Sequence, residues 1–237
     1  KSARYLPEGA WFDADCGGFA CQFIEFLPLS DGSGPFRLQS WQRRTVEDFY
    51  GTLTDGGSGE SVRQYQYLYL EVPKKNGKTE LAAALALYHL LADGEEQPEV
   101  YCAAADRDNA AICFSAALYM INHTPALQKL RTHGDLKVVE SQRTIRFRLN
   151  GGVLKVLSSE AYSKHGYKPS CVIFDELHAQ PSRDLWDVMT FGAGDARRQP
   201  VWIVLTTAGD DPDRTSIGWE IHEKAMGILQ ARGVVPG

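Results

Sequence analysis

The sequence predicts an α/β fold with a mainly parallel central sheet flanked by helices and extended by added antiparallel strands. Two observations carry that expectation. Short apolar, β-rich runs at residues 65–72, 99–104, 170–175 and 200–205 are separated by helical stretches, the order of strands that lie parallel and need crossovers between them. Three of these strands also end in polar, chemistry-bearing residues, and ligands of open α/β sheets bind at the carboxyl ends of strands.

The elements follow in order. Residues 1–35 are rich in Gly, Asp and aromatics and end in Asp31-Gly-Ser-Gly-Pro35, which reads as an N-terminal segment packed on a domain formed by residues 36–237. Ser40 is the expected cap of a helix reaching Tyr50, and residues 54–59 read as a flexible loop. Residues 65–72 form a strand, and the Ala/Leu run from Glu80 to Leu91 is a helix with few polar positions, as burial against a sheet requires. A core strand at 99–104 precedes helices at about 106–122 and 124–133. Residues 136–139, 144–149 and 153–157 are the added antiparallel strands, the last two turned by Asn150-Gly151-Gly152. A final helix covers residues 217–229.

Between the first of the parallel strands and its helix lies Val72-Pro-Lys-Lys-Asn-Gly-Lys-Thr79. Strand, loop and helix in immediate succession make a phosphate cradle: loop N–H groups point inward, the helix adds its positive dipole end, and Lys78 adds a mobile charge. Pro73, Lys74, Lys75, Asn76, Gly77, Lys78 and Thr79 are therefore the candidate nucleotide-binding residues, with the Thr79 hydroxyl directed at Mg²⁺. The loop is a variant Walker A, because Val72 stands where the first glycine is expected. Farther on, the apolar strand 170–175 ends in Asp175-Glu176, a Walker B pattern in which Asp175 holds the metal beside Thr79 and Glu176 activates water. The third strand, 200–205, ends in Thr206-Thr-Ala-Gly-Asp210, small hydroxyl residues placed to sense a terminal phosphate or to form a polar turn.

Taken together, Val-Pro-Lys-Lys-Asn-Gly-Lys-Thr, then Phe-Asp-Glu-Leu-His-Ala, then Leu-Thr-Thr-Ala-Gly resembles the ATPase domain of the large terminase subunit of tailed bacteriophages, over roughly residues 36–225. The resemblance implies a P-loop NTPase fold of the ASCE type and a Mg²⁺-dependent ATPase, the motor that drives double-stranded DNA into a procapsid. It implies that Gln42 reads the adenine edge with Trp41 and Phe36 nearby, and that Lys74 stands where many relatives carry a phosphate-responsive arginine. A lysine there acts as a point charge. It assigns catalytic roles to Glu176, Lys78 and Lys74, and a coupling role to Thr206, Thr207 and Gly209. A basic residue reaching a neighbouring subunit's nucleotide is also implied, with Lys164 the first candidate and Arg183 and Arg197 behind it. The expected partners are double-stranded DNA, the portal protein and the small terminase subunit. The chain would be a homo-oligomeric ring, a pentamer, on the portal and a monomer in isolation. It would act in the host cytoplasm and transiently at the portal vertex of the procapsid.

Terminases usually continue into a nuclease domain. That domain is expected to be absent from this chain, and Asp210, Asp211 and Asp213 read as a solvated loop rather than a two-metal nuclease site. The alternatives are a nucleic-acid helicase-like P-loop ATPase, because Asp-Glu-Leu-His echoes helicase acidic boxes, and an ATP-binding switch without turnover. Pro73-Lys74-Lys75 weighs against the first and Glu176 against the second.

Composition agrees with an enzyme core: 237 residues with 43% hydrophobic content suffice to bury one. The longest apolar stretch, residues 81–92, falls short of the roughly 20 residues that span a bilayer. Five cysteines without metal-ligand spacing read as reduced, mostly structural thiols. A net charge of −5 excludes a protein that coats nucleic acid everywhere, so DNA contact must be local. Arg143, Arg146 and Arg148 alternate along a strand and read first as a charged edge. His178 is placed either near the terminal phosphate or as a supporting residue, and His89 is structural.

Overall fold

The computed structural model describes residues 4–57, 59–158, 167–191, 197–209 and 211–232. The chain begins with strand β1 (Trp11–Phe12), helices α1 (Ala14–Phe26) and α2 (Ser40–Gly51), and strands β2 (Thr52–Asp55), β3 (Ser61–Arg63) and β4 (Tyr67–Glu71). There follow α3 (Lys78–Leu91), β5 (Glu99–Ala104), α4 (Arg107–His123), α5 (Pro125–His133), β6 (Leu136–Val139), β7 (Thr144–Phe147) and β8 (Gly152–Ser158). The chain continues through β9 (Cys171–Asp175), α6 (Asp184–Phe191), β10 (Val201–Thr206) and α7 (Ile217–Ala231).

Seven strands form the main sheet in the order β4-β10-β9-β5-β8-β7-β6. The first five run parallel, and β7 is antiparallel to both its neighbours β8 and β6, so β8 joins the two regimes. The parallel strands read as continuous apolar runs because both faces are covered. On one face Cys102, Ile173 and Ile203 pack with α3 and α4; on the other Tyr101, Val172, Phe174 and Val204 pack with α6 and the start of α7. Ala82 to Leu87 of α3 are fully buried, and the alanines let this helix lie close against the sheet. Ala20, Cys21, Ile24 and Leu27 of α1 belong to the same cluster, so the N-terminal segment shares the core of α3.

Three local expectations need correction. Ser40 is the first residue of α2, not its cap: Gln39 holds the cap position, and its N–H donates to the Gln42 carboxamide oxygen at 2.9 Å. A glutamine three residues into a helix can reach back in this way. Residues 54–59 are not all loop, since Thr52–Asp55 pairs with both β1 and β3 in a small second sheet; the turn is confined to residues 56–60, closed by Gly56 N–H to Glu60 O at 2.8 Å. The strand bearing Arg146 is not an edge, because β6 lies outside β7.

Cys21, Cys102, Cys113 and Cys171 are buried free thiols and Cys16 is exposed. No single described helix is long and apolar enough to cross a membrane.

A buried ionic network ties the small sheet to the main one. Arg63 of β3 pairs with Asp93 beyond α3, and their side chains are 7% and 3% exposed. Asp93 also meets His89 Nδ1 at 3.1 Å, His89 Nε2 meets the Tyr50 hydroxyl at 2.8 Å, and Arg63 donates to the Gln199 carbonyl at 2.9 Å. Burial pushes the Asp93 carboxyl up, yet His89 and Arg63 together outweigh it and hold the group below its ordinary range. Asp93→Ala is expected to lower stability by about 3–5 kcal/mol, because it strands a buried guanidinium, and Arg63→Met with Asp93→Leu should restore most of the loss. Urea unfolding reads both. As the native carboxyl titrates below its unfolded value of about 3.9, the wild-type advantage over Asp93→Asn should be complete above that pH and shrink as pH falls through the lower native value.

Candidate functional site

The parallel pairing aligns three strand ends: Thr206 of β10 lies beside Glu71 of β4, and Leu205 beside Asp175 of β9. Every candidate catalytic side chain projects from just beyond this row. From β4 the chain turns through residues 72–77 into α3, with Lys75 (φ 68°) and Gly77 (φ 70°) in the left-handed region. Only glycine adopts that conformation without strain, and Gly77 holds the cap position at the start of α3. The Asn76 carboxamide donates to the Pro73 carbonyl at 3.1 Å and keeps the loop curled. Lys74 and Lys75 are exposed.

Lys78 is buried, and its ammonium donates to the carbonyls of Val72 at 3.3 Å and Pro73 at 3.2 Å, while lying 3.5 Å from Glu176 Oε1. Thr79 donates its hydroxyl to Asp175 Oδ2 at 3.1 Å. The other oxygen, Asp175 Oδ1, is buried without a hydrogen-bond partner. Burial pushes the Asp175 carboxyl up to about 6; the Thr79 hydrogen bond opposes the rise and the Glu176 charge adds to it. A hard divalent cation takes carboxylate and hydroxyl oxygens, so Thr79 and the orphaned oxygen of Asp175 fit the metal role read from the sequence.

Glu176 sits in a left-handed conformation (φ 56°, ψ 55°) that is uncommon for a side-chain-bearing residue and is held by its surroundings. The Thr207 hydroxyl donates to its Oε2 at 3.0 Å, and His178 Nδ1 lies 3.1 Å from the same oxygen and 2.9 Å from the Thr206 hydroxyl. Thr207 thus touches Glu176 directly, while Thr206 meets it through His178. Gly209 packs on His178 so closely that a Cβ would fall 2.7 Å from the histidine Cβ. Asp211 accepts from Ser216 N–H at 2.9 Å in the turn before α7, and Asp210 lies outside the described residues.

Gln42 is buried, and besides capping α2 it donates from Nε2 to the Asn76 carbonyl at 3.5 Å, which brings it against the phosphate loop. Phe36 is a core residue and Trp41 is half-buried. Lys164 lies outside the described residues. Arg183 is exposed and pairs with Asp187 and Glu220. Arg197 is anchored in its own chain by the carbonyls of Lys168 and Glu96 and by Glu95 and Glu99, with its side chain 11% exposed, which is the setting of a structural arginine.

Sequence reasoning missed one side of the site. Behind the coupling residues lies a cavity of about 220 Å³ walled by Tyr69, Glu71, His178, Trp219 and His222. Glu71 accepts from the Tyr69 hydroxyl at 2.5 Å and meets His222 Nδ1 at 2.8 Å, and these contacts, outweighing burial, hold its carboxyl below the usual range. The available signal was a lone carboxylate in an apolar strand immediately before the loop. Its partner is more than a hundred residues away.

Residues 40–223 match the family described as terminase large subunit, ATPase domain. The chain is 31% identical over 189 residues to the terminase large subunit of Enterobacteria phage HK97, a match covering 77% of this chain and 34% of that protein. The crystal structure of the HK97 bacteriophage large terminase superposes with a TM-score of 0.74 at 26% identity, over 89% of this chain and 41% of that one. The large terminase ATPase domain of Thermus phage P74-26 aligns at 14% identity with a TM-score of 0.48, over 59% of this chain and 58% of that one. The chain spans about a third of the length of the curated HK97 relative. With the sequence match and the fold in agreement, this chain belongs to the ATPase-domain family of terminase large subunits.

Proposed function

We propose that this chain is the Mg²⁺-dependent ATP-hydrolysing motor of a DNA-packaging terminase, moving double-stranded DNA into a procapsid. The observation that carries the reading is the single contact network joining Lys78, Thr79, Asp175, Glu176 and Thr207 at the carboxyl ends of adjacent parallel strands. Loop N–H groups and Lys78 bind the phosphates, Lys74 adds a point charge, and Gln42 selects adenine. Thr79 and Asp175 hold the cation, which when bound neutralises charge developing on the phosphoryl oxygens. Glu176 accepts the proton of the attacking water, and Thr207 with His178 fixes the carboxylate for that task. Thr206, Thr207 and Gly209 pass the change at Glu176 to the rest of the domain. The chain works as a ring with portal and small subunit in the host cytoplasm, residues 1–35 forming a segment packed on the 36–237 domain. With Asp175 and Glu176 assigned to nucleotide chemistry and Asp211 capping the turn before α7, we expect no DNA cleavage by these acids.

Glu176→Gln should keep nucleotide affinity while phosphate release falls by about 10² or more, the loss expected of a general base. Lys78→Ala should weaken binding itself, and unchanged affinity there would remove the loop assignment. Gly209→Ala should displace His178 and lower kcat by about tenfold or more with little change in nucleotide affinity, since small misplacements of a catalytic group are costly. In a His178→Ala background the same change should add little, because the two act through one contact. Gln42→Ala should relax ATP over GTP selectivity and also destabilise the domain by about 1 kcal/mol through the lost cap. If selectivity is untouched while stability drops, Gln42 is a cap alone.

A further inference from the structure

Three cations stand together on the outer face of the antiparallel extension. Lys137 of β6 is directly opposite Arg146 of β7, and Lys155 of β8 is opposite Thr144, diagonal to Arg146. Residues opposite one another in an antiparallel pair share a face with Cβ atoms about 5 Å apart, and like charges so placed are destabilising. Lys137 and Arg146 are exposed and Lys155 is half-buried. Among the described residues none of the three makes an ion pair or a side-chain hydrogen bond.

Edge protection does not explain them. The edge strand is β6, which carries Lys137; Arg146 and Lys155 are on inner strands, where no edge needs blunting. Neighbouring acids do not offset them either. Among the described residues neither Asp135 nor Glu140 comes within ion-pair distance of them, and Glu99 meets Arg197, the Tyr101 hydroxyl and Lys168 N–H. The inner face of the same strands, with Ile145, Phe147 and Leu154, is packed into the core; on the opposite face Lys137 and Arg146 are open to solvent, while Thr144 is buried and Lys155 half-buried. In a chain of net charge −5, a concentration of unpaired positive charge at the far end of the sheet from the P-loop strand is a local field for a polyanion.

We propose that the outer face of β6, β7 and β8 is a contact surface for the phosphate backbone of duplex nucleic acid, made by Lys137, Arg146 and Lys155. This rests on the DNA-packaging reading. Backbone phosphates relieve the Lys137–Arg146 repulsion, and because no base-edge reader accompanies the cations, contact is independent of sequence.

The test is fluorescence anisotropy of a labelled random-sequence duplex of about 30 base pairs, titrated across salt concentrations with the wild type and with Lys137→Gln/Arg146→Gln/Lys155→Gln. The triple variant should bind at least about tenfold more weakly, with the slope of log K against log salt reduced by about 2–3, close to 0.9 per lost phosphate contact. Arg198→Gln/Lys224→Gln, removing exposed cations elsewhere, should bind like wild type. The urea midpoint of the triple variant should be unchanged or higher, since a repulsive pair is gone, which separates lost binding from lost folding. Unchanged affinity and slope overturn the proposal. So does unchanged DNA binding with lost self-association in sedimentation, which would mark the face as a contact for an acidic protein surface. Basal phosphate release is measured alongside: its absence in the wild type defeats the ATPase reading while leaving the DNA result to stand or fall separately.

Discussion

The structure depends on a carboxylate kept almost dry. Asp175 ends a strand in which every residue is buried; among the described residues its hydrogen-bonding side-chain partner is the Thr79 hydroxyl, and one of its oxygens has none. Burying a charge without full compensation is costly, and the strain is visible in a carboxyl pushed up to about 6. A site that holds a charge in this way is prepared for a cation, and the surrounding sequence is arranged to keep it so. Ala82, Ala83, Ala84 and Ala86 bring α3 down onto the sheet, which carries Thr79 to the carboxylate. Replacing that close approach with larger side chains would lift the helix and separate the Thr79 hydroxyl from the Asp175 carboxylate.

The second constraint is backbone geometry at Glu176. Its left-handed conformation turns the chain sharply after β9, so that Asp175 faces α3 while Glu176 faces the end of β10. Adjacent residues thereby take different roles. The turn continues into His178, against which Gly209 and Gly218 both pack without room for a Cβ, and Gly218 belongs to α7. Through His222 the same helix reaches Glu71, the last residue before the phosphate loop. The acidic turn, the residues at the end of β10 and the phosphate loop are therefore joined twice, directly at Glu176 and Lys78 and again through α7.

Much of this was legible in the sequence, and the division follows the range of the forces involved. Strands 99–104 and 136–139 and the helix ending at Leu91 were readable because apolar periodicity and flanking turn residues are local. That Thr79, Asp175 and Glu176 come together was readable because the phosphate loop and the acidic strand end are compact local motifs. Ser40 was misplaced as a cap because serine is a favoured capping residue, whereas the cap position falls one residue earlier, at Gln39, where Gln42 reaches back. The β2 strand was lost in a polar, glycine-rich stretch because its support comes from pairing with β1 and β3, not from its own composition. Glu71 with His222, and Lys137 with Arg146, were invisible for a stronger reason: each is a tertiary or cross-strand pairing whose meaning exists only once the register is known.

A chain of net charge −5 divides its positive charge by environment. Lys78 is buried among the carbonyls of Val72 and Pro73 and lies 3.5 Å from Glu176 Oε1, so its field acts over a short range with little screening. On the outer face of β6 to β8 the cations are in contact with solvent, where salt screens them within a Debye length of about 8–10 Å. The buried cation suits a ligand that must be held in one geometry while bonds change. The solvated ones suit a ligand that must be gripped and released, because contacts that exchange readily with counterions impose no fixed register. The two sets of cations lie apart on one sheet, Lys78 beyond the end of β4 and the others on β6 to β8, with β10, β9 and β5 between.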